Sequence, residues 1–310
     1  MPPIAKALLA LPPGSYLLAV SGGRDSMALL HAFAGARRGD LSAVATFDHG
    51  TGPSAAEAVE LVVQACLRQG ISVVAGRAPE RKGAGRLTEG VLREARWAFL
   101  RAAAAERGAT IVTAHTLDDQ AETVAMRILR GASARGLSGM AFPTAGVVRP
   151  LLGVSRAALA AYAAAAGIRH VEDPTNAQTA YLRNRLRGDV LGAVETVRRG
   201  FRDELIAIGS RAAQWRAAMA GLVDALGARR VGDSVVIDGD ALAGLAPGAL
   251  AVVWPEVAGR AGVVLDRRGV ERLSRWAPSS RAGQRIPLSG GGWVERTPRT
   301  FVVRAPRDAK

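Results

Sequence analysis

The chain predicts an α/β fold around a doubly wound parallel sheet, followed by a helical linker and a small α+β domain. Three observations carry this. Short apolar, β-prone runs alternate with segments of helical apolar spacing across the first two-thirds of the sequence. The first of these runs breaks into a Ser-Gly-Gly turn and then a helix. In residues 232–310 the alternation gives way to short strand-like runs and two helical patches.

Tyr16 to Val20 reads as the first strand, and Ser21-Gly22-Gly23-Arg24-Asp25-Ser26 as a loop opening a helix that continues to Phe33. Two glycines let the backbone turn sharply and approach a ligand closely. Ser21 and Ser26 offer hydroxyls, and the helix N-terminus adds unpaired N–H groups with a partial positive charge. This is the layout of a phosphate cradle. It is not a Walker A loop, because an aspartate stands where that loop needs a lysine. An acid beside phosphates makes sense when Mg²⁺ bridges them. The form Ser-Gly-Gly-x-Asp-Ser resembles the pyrophosphatase loop of the N-type ATP pyrophosphatases, which split ATP into AMP and pyrophosphate to activate a carbonyl or carboxyl oxygen.

A second strand over 41–47 ends at Asp48-His49-Gly50. A helix over 54–69, a strand over 71–75, a helix over 88–107 and a strand over 109–114 follow, the last ending at His115. Ligands of doubly wound sheets lie beyond the carboxyl ends of the strands, so Ser21 to Ser26, Asp48-His49 and His115 converge on one crevice. Residues 76–85 and 131–139 read as glycine-punctuated loops, the first basic and the second suited to a lid. Val147 to Leu152 reads as a further strand, 155–166 as a helix, and Asp173-Pro174-Thr175-Asn176 as a turn before the basic run Tyr181 to Arg187. From 188 to 228 apolar residues recur at helical spacing. The expected organisation is therefore a nucleotide-binding catalytic domain over 1–187, a helical linker over 188–228 and a small α+β domain over 229–310.

Composition narrows the partners. The 310 residues carry a formal charge of +14, almost wholly through arginine, since Lys6, Lys82 and Lys310 are the only lysines. An excess of that size favours a polyanionic partner, because cationic contacts to phosphate release condensed counterions. Cys66 is the single cysteine and sits in an apolar-periodic segment, so it reads as a core residue. One thiol cannot form a disulfide, a Cys-x-x-Cys metal site or an iron–sulfur cluster. The N-terminus does not read as a signal peptide, and the Ala-rich run 157–168 is too short to span a bilayer. A cytoplasmic location without membrane contact is expected.

His115-Thr116-Leu117-Asp118-Asp119-Gln120-Ala121-Glu122-Thr123 opens a helix whose apolar stripe is Ala121, Val124, Ala125 and Ile128. Asp118 and Glu122 are four apart and share a face, with Asp119 flanking it. Three acids there could hold Mg²⁺, bind an ammonium group or accept a proton from an attacking amine. Thr116 and Asp119 also have capping-box spacing, which any helix could use. His115 reads either as a group that orients phosphate or substrate, or as a capping histidine.

Several blocks in this order resemble the tRNA(Ile)-lysidine synthetases. They are Ser21 to Ser26, Asp48-His49-Gly50, Arg93 to Leu100, His115 to Thr123, Arg130-Gly131 with Gly136 to Met140, Arg149 to Leu152, Glu172 to Asn176, and Tyr181 to Arg187. One departure is Thr51-Gly52, where that family usually continues with Leu-Arg. The resemblance implies ATP and Mg²⁺ as cofactors, and a tRNA(Ile) with a CAU anticodon and free L-lysine as partners. It implies adenylation of the wobble cytidine at its C2 carbonyl oxygen, then displacement of AMP by lysine's ε-amine. Ser21, Gly22, Gly23, Arg24, Asp25, Ser26, Asp48 and His49 would bind ATP. Asp25 and Asp119 would hold Mg²⁺, while Asp118 and Glu122 are candidates for lysine's amino groups and His115 for orienting substrate. Arg183, Asn184, Arg185 and Arg187 would contact tRNA. A homodimer is one assembly open to the chain. A tRNA thiolase shares the loop but relies on cysteines that are missing here, and a small-substrate amidating ligase would not need so basic a surface. An inactive RNA-binding relative would not need Asp25, Asp118, Asp119 and Glu122 intact.

Overall fold

The computed structural model describes residues 2–79, 88–172, 182–288 and 291–306, which fall into two compact units, Met1–Ala213 and Gln214–Lys310. The turn expected at 173–176, Tyr181 and residues 80–85 of the basic loop lie outside the described residues.

The first unit runs α1 (Pro3–Leu9), β1 (Tyr16–Ala19), α2 (Arg24–Ala36), β2 (Leu41–Asp48), α3 (Pro53–Arg68), β3 (Val73–Arg77), α4 (Glu89–Ala105), β4 (Thr110–Thr113), α5 (Leu117–Leu129), α6 (Ala134–Leu137), β5 (Val147–Val148) and α7 (Arg156–Ala165). The five strands form a parallel sheet in the order β3-β2-β1-β4-β5. Its two faces are sorted by the period of the strands. Leu18 and Val20 join Val44 and Val112 against α1, α2, α3 and α7, whereas Leu17 and Ala19 join Ala43, Ala45 and Ile111 against Leu100, Ala103 and Ala104 of α4. The chain reverses its winding between β1 and β4, which lie side by side with Ala19 opposite Thr113. The loops after β1 and β4 therefore flank the switch point, where such sheets bind ligands.

Two strands depart from their sequence-based bounds for local reasons. The strand expected at 71–75 begins at Val73, because α3 ends in a reverse turn at Gly70 (φ +60°) and the Ile71 N–H donates back to the Cys66 carbonyl at 2.9 Å. The strand expected at 147–152 stops after Val148, since Pro150 has no N–H to donate and a 3₁₀ turn over Pro150–Gly153 takes over.

The expected helical stretch 188–228 is subdivided. α8 (Leu182–Arg185) runs into a π-helical turn over Leu186–Val190, then α9 (Leu191–Val197), a break at Gly200 (φ +83°), and α10 (Phe201–Ala225). Leu186, Leu191 and Leu205 pack on Ala121, Val124 and Ala125 of α5. Ile128, expected in the same stripe, is 45 % exposed, because the last turn of α5 runs beyond that cluster.

The second unit contains β6 (Arg229–Val231), β7 (Ser234–Asp238), α11 (Gly239–Leu242), α12 (Pro247–Arg260), α13 (Arg267–Trp276), β8 (Arg285–Pro287), β9 (Trp293–Arg296) and β10 (Thr300–Arg304). Its antiparallel sheet, β6-β7-β10-β9-β8, has a core of its own in which Trp254 of α12 meets Phe301 edge-to-face at 5.3 Å. Of its strands, β6 and β8 fall outside the runs Ser234 to Ile237, Trp293 to Glu295 and Phe301 to Arg304 that read as strands in the sequence.

Glycine substitutions separate backbone strain from crowding. Gly70 has open space where an added methyl group would stand, so Gly70→Ala should cost only the positive-φ penalty, about 1–2 kcal/mol. At Gly22 (φ +83°) a β-carbon would lie 2.6 Å from the Ala58 carbonyl oxygen, so Gly22→Ala should cost about 2–5 kcal/mol. Thermal denaturation of the two variants checks the order.

Candidate active site at the carboxyl edge of the sheet

The loop between β1 and α2 is shaped by Ser26 and Gly22. The buried Ser26 hydroxyl donates to the Gly23 carbonyl at 2.8 Å and accepts the Ser21 N–H at 3.1 Å, with the Ser21 hydroxyl 3.2 Å away. Gly22 presses its backbone against α3, and its carbonyl accepts the Val171 N–H at 3.0 Å. Gly23 caps α2 without a side chain, leaving the helix end uncovered by one. Arg24 and Asp25 open α2, their side chains 3.2 Å apart. Beside the loop a narrow cleft is lined by Val20, Ser21, Ala45, Phe47, His49 and Arg96. His49 stands edge-to-face on Phe47 at 5.2 Å. Asp48 turns away from the cleft to the Gly50 N–H at 2.7 Å and toward Arg77 at 3.5 Å.

After β4, Thr116 caps α5 in a full capping box. Its hydroxyl accepts the Asp119 N–H at 3.3 Å, while Asp119 Oδ2 accepts the Thr116 N–H at 2.9 Å and its hydroxyl at 2.8 Å. The capping reading of these two residues is thus correct, and Asp119 still has Oδ1 facing the crevice. Glu122, one turn on, has no exposed surface.

Arginines gather these acids. The Arg156 guanidinium lies 2.8 Å from Asp119 Oδ1, 3.0 Å from Glu122 Oε1 and 3.5 Å from Asp25 Oδ2, and its main-chain N–H donates to Asp118 Oδ2 at 2.7 Å. Arg183 reaches Asp119 and Glu122 at 2.9 Å each, Arg187 reaches Glu122 at 2.7 and 3.0 Å, and Arg202 lies 3.5 Å from Asp118. The four acids expected from the sequence thus meet at one place. Arg183 and Arg187, expected at the tRNA, here face the acids; Arg185 is exposed and Asn184 half-buried.

The electrostatics follow from this packing. Burial alone would raise the Glu122 carboxyl, but the Arg187 hydrogen bonds and the nearby Arg156 and Arg183 charges hold it below the usual carboxylate range. Asp119 is held down in the same way, against burial, by Thr116, Arg156 and Arg183. His115, with Nδ1 2.8 Å from the Thr113 hydroxyl, is pushed down to about 4 by burial, opposed by Asp119 and reinforced by Arg149, Arg183 and Arg96. It is therefore a neutral imidazole near pH 7.

Arg156 is absent from the residues the sequence pattern singles out, although a signal is present. A cation at the first position of a helix opposes the helix dipole unless acids compensate it. Here four acids do.

Among the described residues, no group of three or more His, Cys, Asp and Glu is placed to hold a metal by itself. Two hard carboxylate donors at the loop edge do suit Mg²⁺, which takes one or two carboxylates and fills its remaining positions with phosphate and water. Asp25 is the freer donor, with contacts of 3.2 and 3.5 Å; Asp119 offers only the Oδ1 it shares with three guanidinium groups. Cys66 is fully buried, and burial pushes its thiol up to about 11, so it has no part in this site. No helix among the described residues is long and apolar enough to cross a membrane.

Residues 4–194 match the PP-loop domain family. A tRNA(Ile)-lysidine synthase of Salinispora arenicola is 36 % identical over 98 % of this chain and 95 % of its own length. One of Salinispora tropica is 39 % identical over 62 % of this chain and 60 % of its own. Among solved structures, a U34-tRNA thiolase from Methanococcus maripaludis with a 4Fe-4S cluster superposes with a TM-score of 0.56. It shares 15 % identity over 68 % of this chain and 77 % of its own, a likeness of fold alone.

His115 makes the pH dependence of stability specific. Its folded value lies below the unfolded value of about 6.5, so the unfolded chain binds the extra proton between that pH and about 4. Stability should fall as pH drops through this window. His115→Asn should flatten that part of the curve, as read by denaturant titrations from pH 7 to 4.

Proposed function

Because the chain belongs to the tRNA(Ile)-lysidine synthase family of PP-loop proteins, we propose that it ligates lysine to C2 of the wobble cytidine of a CAU-bearing tRNA(Ile), using ATP. The observation that carries the site assignment is the convergence of Asp25 of the phosphate loop with Asp118, Asp119 and Glu122 of α5 around Arg156. A nucleotide cradle and a set of ammonium-binding acids share one crevice.

In the first half-reaction the cytidine C2 oxygen attacks the α-phosphorus of ATP, the bond to the β-phosphate breaks, and pyrophosphate leaves. Ser21, Gly22, Gly23 and Ser26 cradle the phosphates at the start of α2, with Arg24 at their edge. Asp48 and His49, at the carboxyl end of β2 beside the loop, contact the nucleotide. Asp25, and Asp119 through Oδ1, would hold Mg²⁺, which when bound neutralises phosphate charge. In the second half-reaction lysine's ε-amine attacks C2, the C–O bond to AMP breaks, and the amine loses a proton. Asp118 and Glu122 take lysine's amino groups, and one acid of the cluster accepts the proton. Neutral His115 orients substrate by hydrogen bonding rather than by charge.

Free L-lysine is the amine donor in this reading, and the cytoplasm its setting. The unit carrying β6 to β10, within 229–310, grips the tRNA body, and light scattering distinguishes a homodimer from a monomer.

Labelled lysine, ATP and Mg²⁺ should give lysine transfer to a tRNA(Ile) transcript with a CAU anticodon and none to a methionine tRNA, and Asp25→Ala should abolish it. Pyrophosphate release without lysine transfer would show that the amine is wrong; tRNA binding without either would favour the inactive relative. Arg185, the exposed member of its run, should act on phosphate. Arg185→Ala should then reduce the slope of log affinity against log salt by about one, as read by filter binding across salt concentrations.

A further inference from the structure

Arg156 has a geometry that invites a role of its own. Its two terminal nitrogens are held by Asp119 at 2.8 Å and Glu122 at 3.0 Å, both within hydrogen-bond distance. Its Nε points to the other side, where Asp25 Oδ2 stands 3.5 Å away, an ion-pair contact too long for a hydrogen bond. The guanidinium thus has one edge clamped by α5 and one edge turned to the phosphate loop with its N–H unspent. The clamp is anchored from the main chain as well as from the acids. Glu122 is fully buried, and the Arg156 main chain is fixed by Asp118 at 2.7 Å and by the Ser155 cap of α7.

We propose that Arg156 is a further catalytic residue, whose Nε–H donates to the α-phosphoryl group during transfer to the tRNA. This rests on the adenylation reading above. When Asp25 turns to nucleotide and Mg²⁺, Nε gives up its contact with that acid and faces the reacting phosphorus, between the loop and the lysine-binding acids. Held by Asp119 and Glu122, the group needs no reorganisation as charge develops on the equatorial oxygens. A preorganised donor of this kind acts chiefly on the rate.

The two half-reactions test this in the full chain. Formation of adenylated tRNA from α-labelled ATP is followed without lysine, and lysine transfer is then followed from preformed adenylate. Arg156→Ala should lower kcat for adenylation by about 10²-fold or more, with the KM for ATP changed far less. Added methylguanidinium should restore part of the rate. Arg156→Lys keeps the charge but not the two-edged fork, and should retain the fold, read by its melting temperature, while staying slow in adenylation. Wild-type kcat for adenylation in Arg156→Lys, or a defect confined to the KM for lysine, would overturn the proposal. A wild-type chain that forms no adenylated tRNA would instead overturn the functional reading, which separates the two failures.

Discussion

A carboxylate with no exposed surface constrains everything around it. An ion buried without partners costs several kcal/mol, and removing one member of a buried pair typically costs about 3–5 kcal/mol. Glu122 meets this demand with Arg156, Arg183 and Arg187, which approach from α7 and from α8 with its following turn. α7 is also seated by Leu159 and Ala163 in the core, and the turn after α8 by Leu186 against α5. The charges and the apolar packing thus agree on where these elements go. The same guanidinium groups also cover Asp119, whose second oxygen is spent on the α5 cap, so a local helix-start device and a long-range charge cluster share one side chain.

The cluster is close to neutral when taken whole, with Asp25, Asp118, Asp119 and Glu122 against Arg156, Arg183, Arg187 and Arg202. A cluster of four acids in a chain of net charge +14 thus presents no bare negative field. Arg183 and Arg187 supply half of the cluster's positive charge.

What can be read from the sequence is what neighbours in the chain decide. The cradle at Ser21 to Ser26, the alternation of β1 to β4 with helices, and the Thr116–Asp119 cap are all local, and each is visible in residue order. Tertiary encounters are not visible. Arg156 lies more than thirty residues from its acids, and the inward turn of Arg183 and Arg187 depends on where α5 lies. β6 and β8 are three-residue edge strands, Arg229-Arg230-Val231 and Arg285-Ile286-Pro287, whose compositions offer no alternation to detect. The strand expected at 71–75 starts two residues late because a cap at Gly70 consumes the first N–H available to it.

The π-helical turn at Leu186–Val190 gives this segment its phase. Leu186 and Leu191 are five residues apart and both buried, a spacing that an α-helix would place on different sides and a wider turn places on one. Arg183 before the turn and Arg187 within it keep the four-residue spacing that puts both on the acids. The extra residue works as a clutch between two helical gears. It lets the face that carries Arg183 and Arg187 and the face that carries Leu186 and Leu191 both find their partners, so a one-residue deletion here would leave the chain able to satisfy either the charges or the core, but not both together.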